Sequence, residues 1–118
     1  MAKLLVVEQD SEQRESFRQM LEGAAHRVIE ASTATEAVEA CAQEHPDLVL
    51  LDPHLGRFLG MTKGKWVAEQ THACGSAPVV VVAEDEDRSE LDELGPDAVV
   101  SRDAGPEELL QTVANLLE

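Results

Sequence analysis

At 118 residues the chain has room for one domain with a sizeable core and none for a second. A formal net charge of −15 argues against nucleic acid, whose phosphates need lysine and arginine, and against anionic membrane surfaces. No stretch approaches the ~18 apolar residues of a membrane span. Lys3 is followed only by a short apolar run and then Glu8, which is not a signal peptide. The cytoplasm is the expected compartment. Cys41 and Cys74 share no CxxC or metal-ligand spacing and read as reduced thiols. The chain ends on a helical pattern, so residues 1–118 are expected to form one domain, either alone or cut from a longer protein.

Leu4 to Val7 is a continuous apolar run, which predicts a buried first strand. Glu8-Gln9-Asp10 follows it. Asp10 or Ser11 can cap the next helix, and Asp10 with Gln13 has capping-box spacing. Phe17, Met20, Leu21 and Ala24 then fall on one helical face, with Gly23 near the end. Val28 and Ile29 mark a short second strand. Thr33 with Glu36 is another capping-box pair, and Ala37, Val38 and Cys41 give a weaker stripe that ends before Pro46.

Asp47-Leu48-Val49-Leu50-Leu51-Asp52 is four apolar residues with a carboxylate at each end. It predicts a central strand buried on both faces, stopped by Pro53 and Gly56. The stretch from Gly56 to Gly64 reads as a loop, and Trp66 and Val67 as part of a third helix. Pro78 precedes four valines and Ala83, the fourth strand. Glu84 to Asp87 reads as an acidic loop, Arg88 to Leu94 as a two-turn helix, and Ala98 to Val100 as a fifth strand. Pro106 suits a first helical turn, and Leu109, Leu110, Val113, Leu116 and Leu117 form the stripe of a last helix.

Five strand–helix repeats predict an α/β fold: a doubly wound, five-stranded parallel sheet in a flavodoxin-like three-layer sandwich. The expected strand order is 2-1-3-4-5, with the site outside the carboxyl ends of strands 1 and 3. Asp52 ends strand 3 and is the centre of that site.

These residues resemble a receiver domain, the phospho-acceptor module of bacterial response regulators and the CheY-like chemotaxis regulator. The resemblance covers the whole chain. It rests on Leu4-Leu5-Val6-Val7 before an acidic cluster, on Pro46 to Asp52, on Gly60 eight residues beyond Asp52, on Pro78 and its valines, and on Gly105-Pro106-Glu107-Glu108-Leu109. It implies two-component phosphorelay signalling, with Asp52 in the phospho-acceptor position and Mg²⁺ offsetting the charge where phosphoryl and carboxylate meet.

Carried over position by position, the metal-holding acidic pair becomes Glu8 and Gln9, joined by Asp52 and the backbone carbonyl of His54. Asp10 is expected to point to the helix start instead. The Ser/Thr switch position falls on Ala83, which has lost the hydroxyl. The small residue after it becomes Glu84, which crowds and repels a phosphoryl group. The lysine position falls on Arg102, and the proline after it becomes Asp103, so no cis bond is expected there. The aromatic switch position falls on Val99. The segment between strand 4 and Arg102 is about one helical turn shorter than the resemblance implies. Pro53 removes an N–H next to Asp52, but the family's contact at this point comes one residue later.

The reading is therefore an atypical, degenerate (pseudo-)receiver, not an enzyme, acting through protein–protein interaction with weak or no phosphorylation at Asp52 and doubtful Mg²⁺ binding. Arg102 is expected to pair with Asp52 or Glu84. Partners implied by the resemblance are a histidine kinase, a phosphotransfer protein or an output protein, engaged through helix 4–strand 5–helix 5. One alternative is an active phospho-acceptor that takes phosphate from a histidine kinase onto Asp52. A second is a flavodoxin-like small-molecule binder, disfavoured because Glu8-Gln9-Asp10 stands where a phosphate loop belongs. His26, His45, His54 and His72 read as surface residues, and Trp66 as a packing residue.

Overall fold

A computed structural model describes residues 2–51, 57–58, 61–62, 77–83, 98–101 and 105–117. Strand β1 (Lys3–Val7) leads into helix α1 (Ser11–Gly23), β2 (Arg27–Ala31), α2 (Ala34–Glu44) and β3 (Leu48–Leu51). Two short strands follow, β4 (Arg57–Phe58) and β5 (Met61–Thr62), then β6 (Val79–Ala83), β7 (Ala98–Ser101) and the last helix, here α3 (Pro106–Leu117).

The main sheet has the order β2-β1-β3-β6-β7, and every pair in it is parallel. This is the predicted 2-1-3-4-5 arrangement. All four residues of β3 are buried, as a central strand covered on both faces requires. Alternation along the strands divides the core. Leu5, Val7, Val49, Leu51, Val79 and Val81 pack on one side with Ala37 of α2. Leu4, Val6, Leu50, Val80 and Val82 pack on the other with Phe17 and Leu21 of α1 and Leu109 and Val113 of α3. Helices on both faces make the three layers.

The local signals act much as the residues suggest. Asp10 is the N-cap of α1, and its carboxylate accepts from the N–H groups of Glu12 and Gln13. Thr33 caps α2 by accepting from the Glu36 N–H at 3.1 Å. The Glu36 carboxylate reaches back in turn and accepts from the N–H and hydroxyl of Ser32, each at 2.9 Å. Asp47 fastens the starts of two strands. Its carboxylate accepts from the Lys3 N–H at 2.8 Å, and its own N–H donates to the Lys3 carbonyl at 2.7 Å.

Three expectations are corrected. Residues 57–58 and 61–62 pair as an antiparallel ladder, Arg57 with Thr62 and Phe58 with Met61, within the stretch read as loop. Ala24 is exposed and belongs to the cap of α1, because the helix closes at Gly23. His26 is not a plain surface residue: it is half-buried, and its Nδ1 is enclosed with no hydrogen-bond partner among the described residues. It lines a groove with Ala2, Asp47, Leu116 and Leu117 at the amino-terminal edge of the sheet, the edge away from the predicted site. The predicted helices around Trp66 and over Arg88 to Leu94, the Glu84–Asp87 loop, and Cys74 and His72 lie outside the described residues.

Candidate functional site

The carboxyl edge of the sheet is where the sequence places the chemistry. β1 and β3 end side by side there, with Val7 paired to Leu51. Glu8 therefore follows the end of one central strand and Asp52 the end of its neighbour. Open parallel sheets bind ligands at such an edge, because side chains from adjacent strand ends converge and no helix covers them.

Glu8 is the best-defined residue of the edge. It is 3 % exposed, the one charged residue among the described ones that is fully buried. Its backbone and side chain are both engaged. The Glu8 N–H extends the β1–β2 ladder by donating to the Ala31 carbonyl at 3.0 Å. Its carbonyl accepts from Arg14 Nη1 at 2.9 Å. Its carboxylate accepts from the Asp10 N–H, Oε1 to N 3.2 Å. A buried carboxylate needs such donors, since burying it without them costs several kcal/mol or neutralises it. Gln9, beside it, is exposed. Asp10 turns to the helix start, as expected, and is committed to the cap.

Arg14 joins the edge without having been singled out by its sequence context. While Nη1 holds the Glu8 carbonyl, Nε lies 3.5 Å from Glu30 Oε1 on β2. The only local hint is an arginine six residues after Glu8; nothing in the local pattern indicates that it would reach two strands.

On the other side of β3, strand β6 ends at Ala83, paired in register with Ser101 on β7. Ala83, the expected switch position, carries no hydroxyl, and the nearby hydroxyl residue in register with it is Ser101, one strand over. Neighbouring strands stand about 4.8 Å apart, so Ser101 is about 10 Å, two strands, from β3. Val99 lies in β7 opposite Val81. Asp52, His54, Glu84 and Arg102 lie outside the described residues, and so does the expected Arg102 ion pair.

Of the residues expected to hold a metal, the described ones are Glu8, a carboxylate that accepts within its own loop, and Gln9, a neutral, exposed amide. Mg²⁺ binds hard oxygen donors in near-octahedral geometry and relies on negative charge from carboxylates. Glu8 and Gln9 are a poor fit to that demand.

Comparison with known proteins yields a match at each level. The family model described as "response regulator receiver domain" matches residues 4–114. The polar-differentiation response regulator DivK of Brucella ovis is 25 % identical over 117 residues, which span 97 % of this chain and 94 % of that protein. Among solved structures, a CheY-like receiver domain protein from Methanospirillum hungatei superposes with a TM-score of 0.84 at 25 % identity, over 99 % of this chain and 94 % of the other. The receiver domain of the sensor histidine kinase PA1611 from Pseudomonas aeruginosa, solved with a magnesium ion in its active-site cleft, has a TM-score of 0.85 at 17 % identity, over 98 % of this chain and 97 % of the other. At that identity the likeness is one of fold.

Proposed function

Since the chain belongs to the response regulator receiver domain family of two-component signalling, we propose that it works as a pseudo-receiver: a non-enzymatic module that engages protein partners with weak or no phosphorylation at Asp52. The observation that carries this reading is the state of Glu8. The one charged member of the metal pair is buried and holds the Asp10 N–H of its own loop, while the other member is an uncharged glutamine. Ala83 adds to it by ending β6 without the hydroxyl that the family uses to sense a phosphoryl group. Catalysis in a receiver is mostly positioning and electrostatics, so losing these groups lowers both the transfer rate and its consequence.

Mg²⁺ binding is weak or absent in this reading. The partners are a histidine kinase, a phosphotransfer protein or an output protein. The docking face runs along β7 and α3 and the segment before β7. Residues 1–118 act as one receiver-like unit in the cytoplasm. A flavodoxin-like binder shares only the topology, which is no argument for a function.

The test is incubation of the whole chain with Mg²⁺ and a small acyl-phosphate donor, followed by intact-mass measurement, with a parallel titration of beryllofluoride. The expected result is an unmodified mass and no saturable response to beryllofluoride. A stoichiometric phosphoryl adduct that maps to Asp52 and disappears in Asp52→Asn overturns the proposal in favour of a working phospho-acceptor.

A further inference from the structure

We infer that Arg14 is a positioning residue of the receiver pocket: an internal cation that locks the acidic strand end carrying Glu8 in shape. The inference rests on the reading that Glu8 borders the pocket, and it adds what holds Glu8 there.

The geometry is a cross-link between two strands made by one guanidinium. Arg14 sits in the first turns of α1, and its own N–H donates to the Asp10 carbonyl at 2.9 Å. From that anchored position Nη1 donates to the carbonyl of Glu8, just past the end of β1. Nε faces the carboxylate of Glu30, which is paired with Val6 one strand away. Only an arginine offers several donors in a rigid plane and can serve two acceptors at once. The Arg14 side chain is 20 % exposed and that of Glu30 37 %, so solvent screens the contact to the buried Glu8 less than the one to Glu30.

The carboxylates around it explain why a cation is needed. Glu8 is buried and gives the guanidinium its carbonyl, Glu30 faces it, and its charge also acts on Glu15 and Glu36. Without Arg14 these groups would repel one another across the end of β1 in a chain of net charge −15. With it, the Glu8 carbonyl is held from one side. The Glu8 N–H is held by Ala31 from the other, and the Glu8 carboxylate can reach the Asp10 N–H. The loop that borders the pocket keeps its form through a built-in cation.

Residue-resolved amide hydrogen exchange of the full chain in metal-free buffer tests this, and its outcome does not depend on whether Asp52 accepts a phosphoryl group. The parent, Arg14→Gln, Arg14→Lys and Glu30→Gln are compared, each corrected for global stability from urea unfolding. In Arg14→Gln the Glu8 and Asp10 amides are expected to exchange about three- to tenfold faster, the range of one or two lost hydrogen bonds. The Val49 amide, bonded to Pro78 in the central sheet, stays unchanged. Arg14→Lys keeps the charge but not the fork and is expected to fall between the parent and Arg14→Gln. Glu30→Gln, which leaves the guanidinium on Glu8, gives an intermediate rate. Acceleration shared equally by Val49, or full protection in Arg14→Lys, overturns the proposal. A phosphorylated Asp52 with the same exchange pattern would overturn the pseudo-receiver reading and leave this one standing.

Discussion

Glu36 shows how one side chain links sequence to pH behaviour. Its carboxyl is held below the ordinary glutamate range, first by the Ser32 backbone N–H and then by the Ser32 hydroxyl. The capping-box spacing of Thr33 and Glu36 is visible in the sequence, but the bonds that the carboxylate makes to Ser32, one residue further back, are not. A carboxyl whose folded-state pKa is depressed binds its proton more readily in the unfolded chain. It therefore contributes stability above its unfolded value, and that contribution is lost as the pH falls through the folded value. Glu36→Gln is expected to be less stable than the parent at neutral pH. Its further loss on acidification through the glutamate range should be smaller. Urea midpoints measured from neutral to acid pH decide it; parallel curves for the two proteins would show that the Ser32 bonds do not favour the charged form.

The end of α1 is an element-scale mismatch between residue and conformation. His26 donates to the Leu21 carbonyl and Ala25 to the Glu22 carbonyl, the paired bonds of a Schellman turn. That turn needs a left-handed residue, and it falls on Ala25, φ 69°. The glycine of this segment, Gly23, lies two residues earlier, at the last helical position, where a Cβ would meet nothing within 4 Å. Alanine is disfavoured in the left-handed region, and glycine lowers helix stability by about 0.5–1 kcal/mol against alanine. Gly23→Ala and Ala25→Gly are each expected to stabilise the protein by roughly 0.5–1 kcal/mol. The gains should nearly add, since one acts on the helix and the other on its cap. Urea denaturation of both single variants and the double variant measures this. An Ala25→Gly protein less stable than the parent would mean that the left-handed turn is not what limits this helix end.

For the molecule as a whole, charge dominates. Twenty-four acidic residues against nine basic ones leave a net −15 on 118 residues. Self-repulsion of this size weakens the compact state and is screened within about 10 Å at 0.1 M salt. Salt also weakens ion pairs, but Lys3–Glu44 is partly exposed and contributes little. Net repulsion should win, so the thermal midpoint is expected to rise as sodium chloride increases from a few millimolar to about 0.15 M. A midpoint that falls over this range would show that the ion pairs outweigh the repulsion.

What the sequence determined by itself is what short-range physics controls. A run such as Leu48 to Leu51 can satisfy its burial only as a central strand. The stripe ending in Leu116 and Leu117 can bury its face only as a helix. Alternation of the two in one chain leaves few topologies besides a doubly wound sheet. The caps at Asp10 and Thr33 were legible for the same reason, since a cap acts within three residues. The state of the site was not legible. Sequence indicates a glutamate after β1, but not that it is buried, nor that its carboxylate accepts from Asp10. Nor does it indicate that an arginine holds its carbonyl while facing a glutamate on the neighbouring strand. Those contacts depend on which strand lies beside β1 and in what register, with Val6 opposite Glu30 and Val7 opposite Ala31. Register is a property of the assembled sheet: only when β2 docks does Arg14 have two acceptors within reach of one guanidinium.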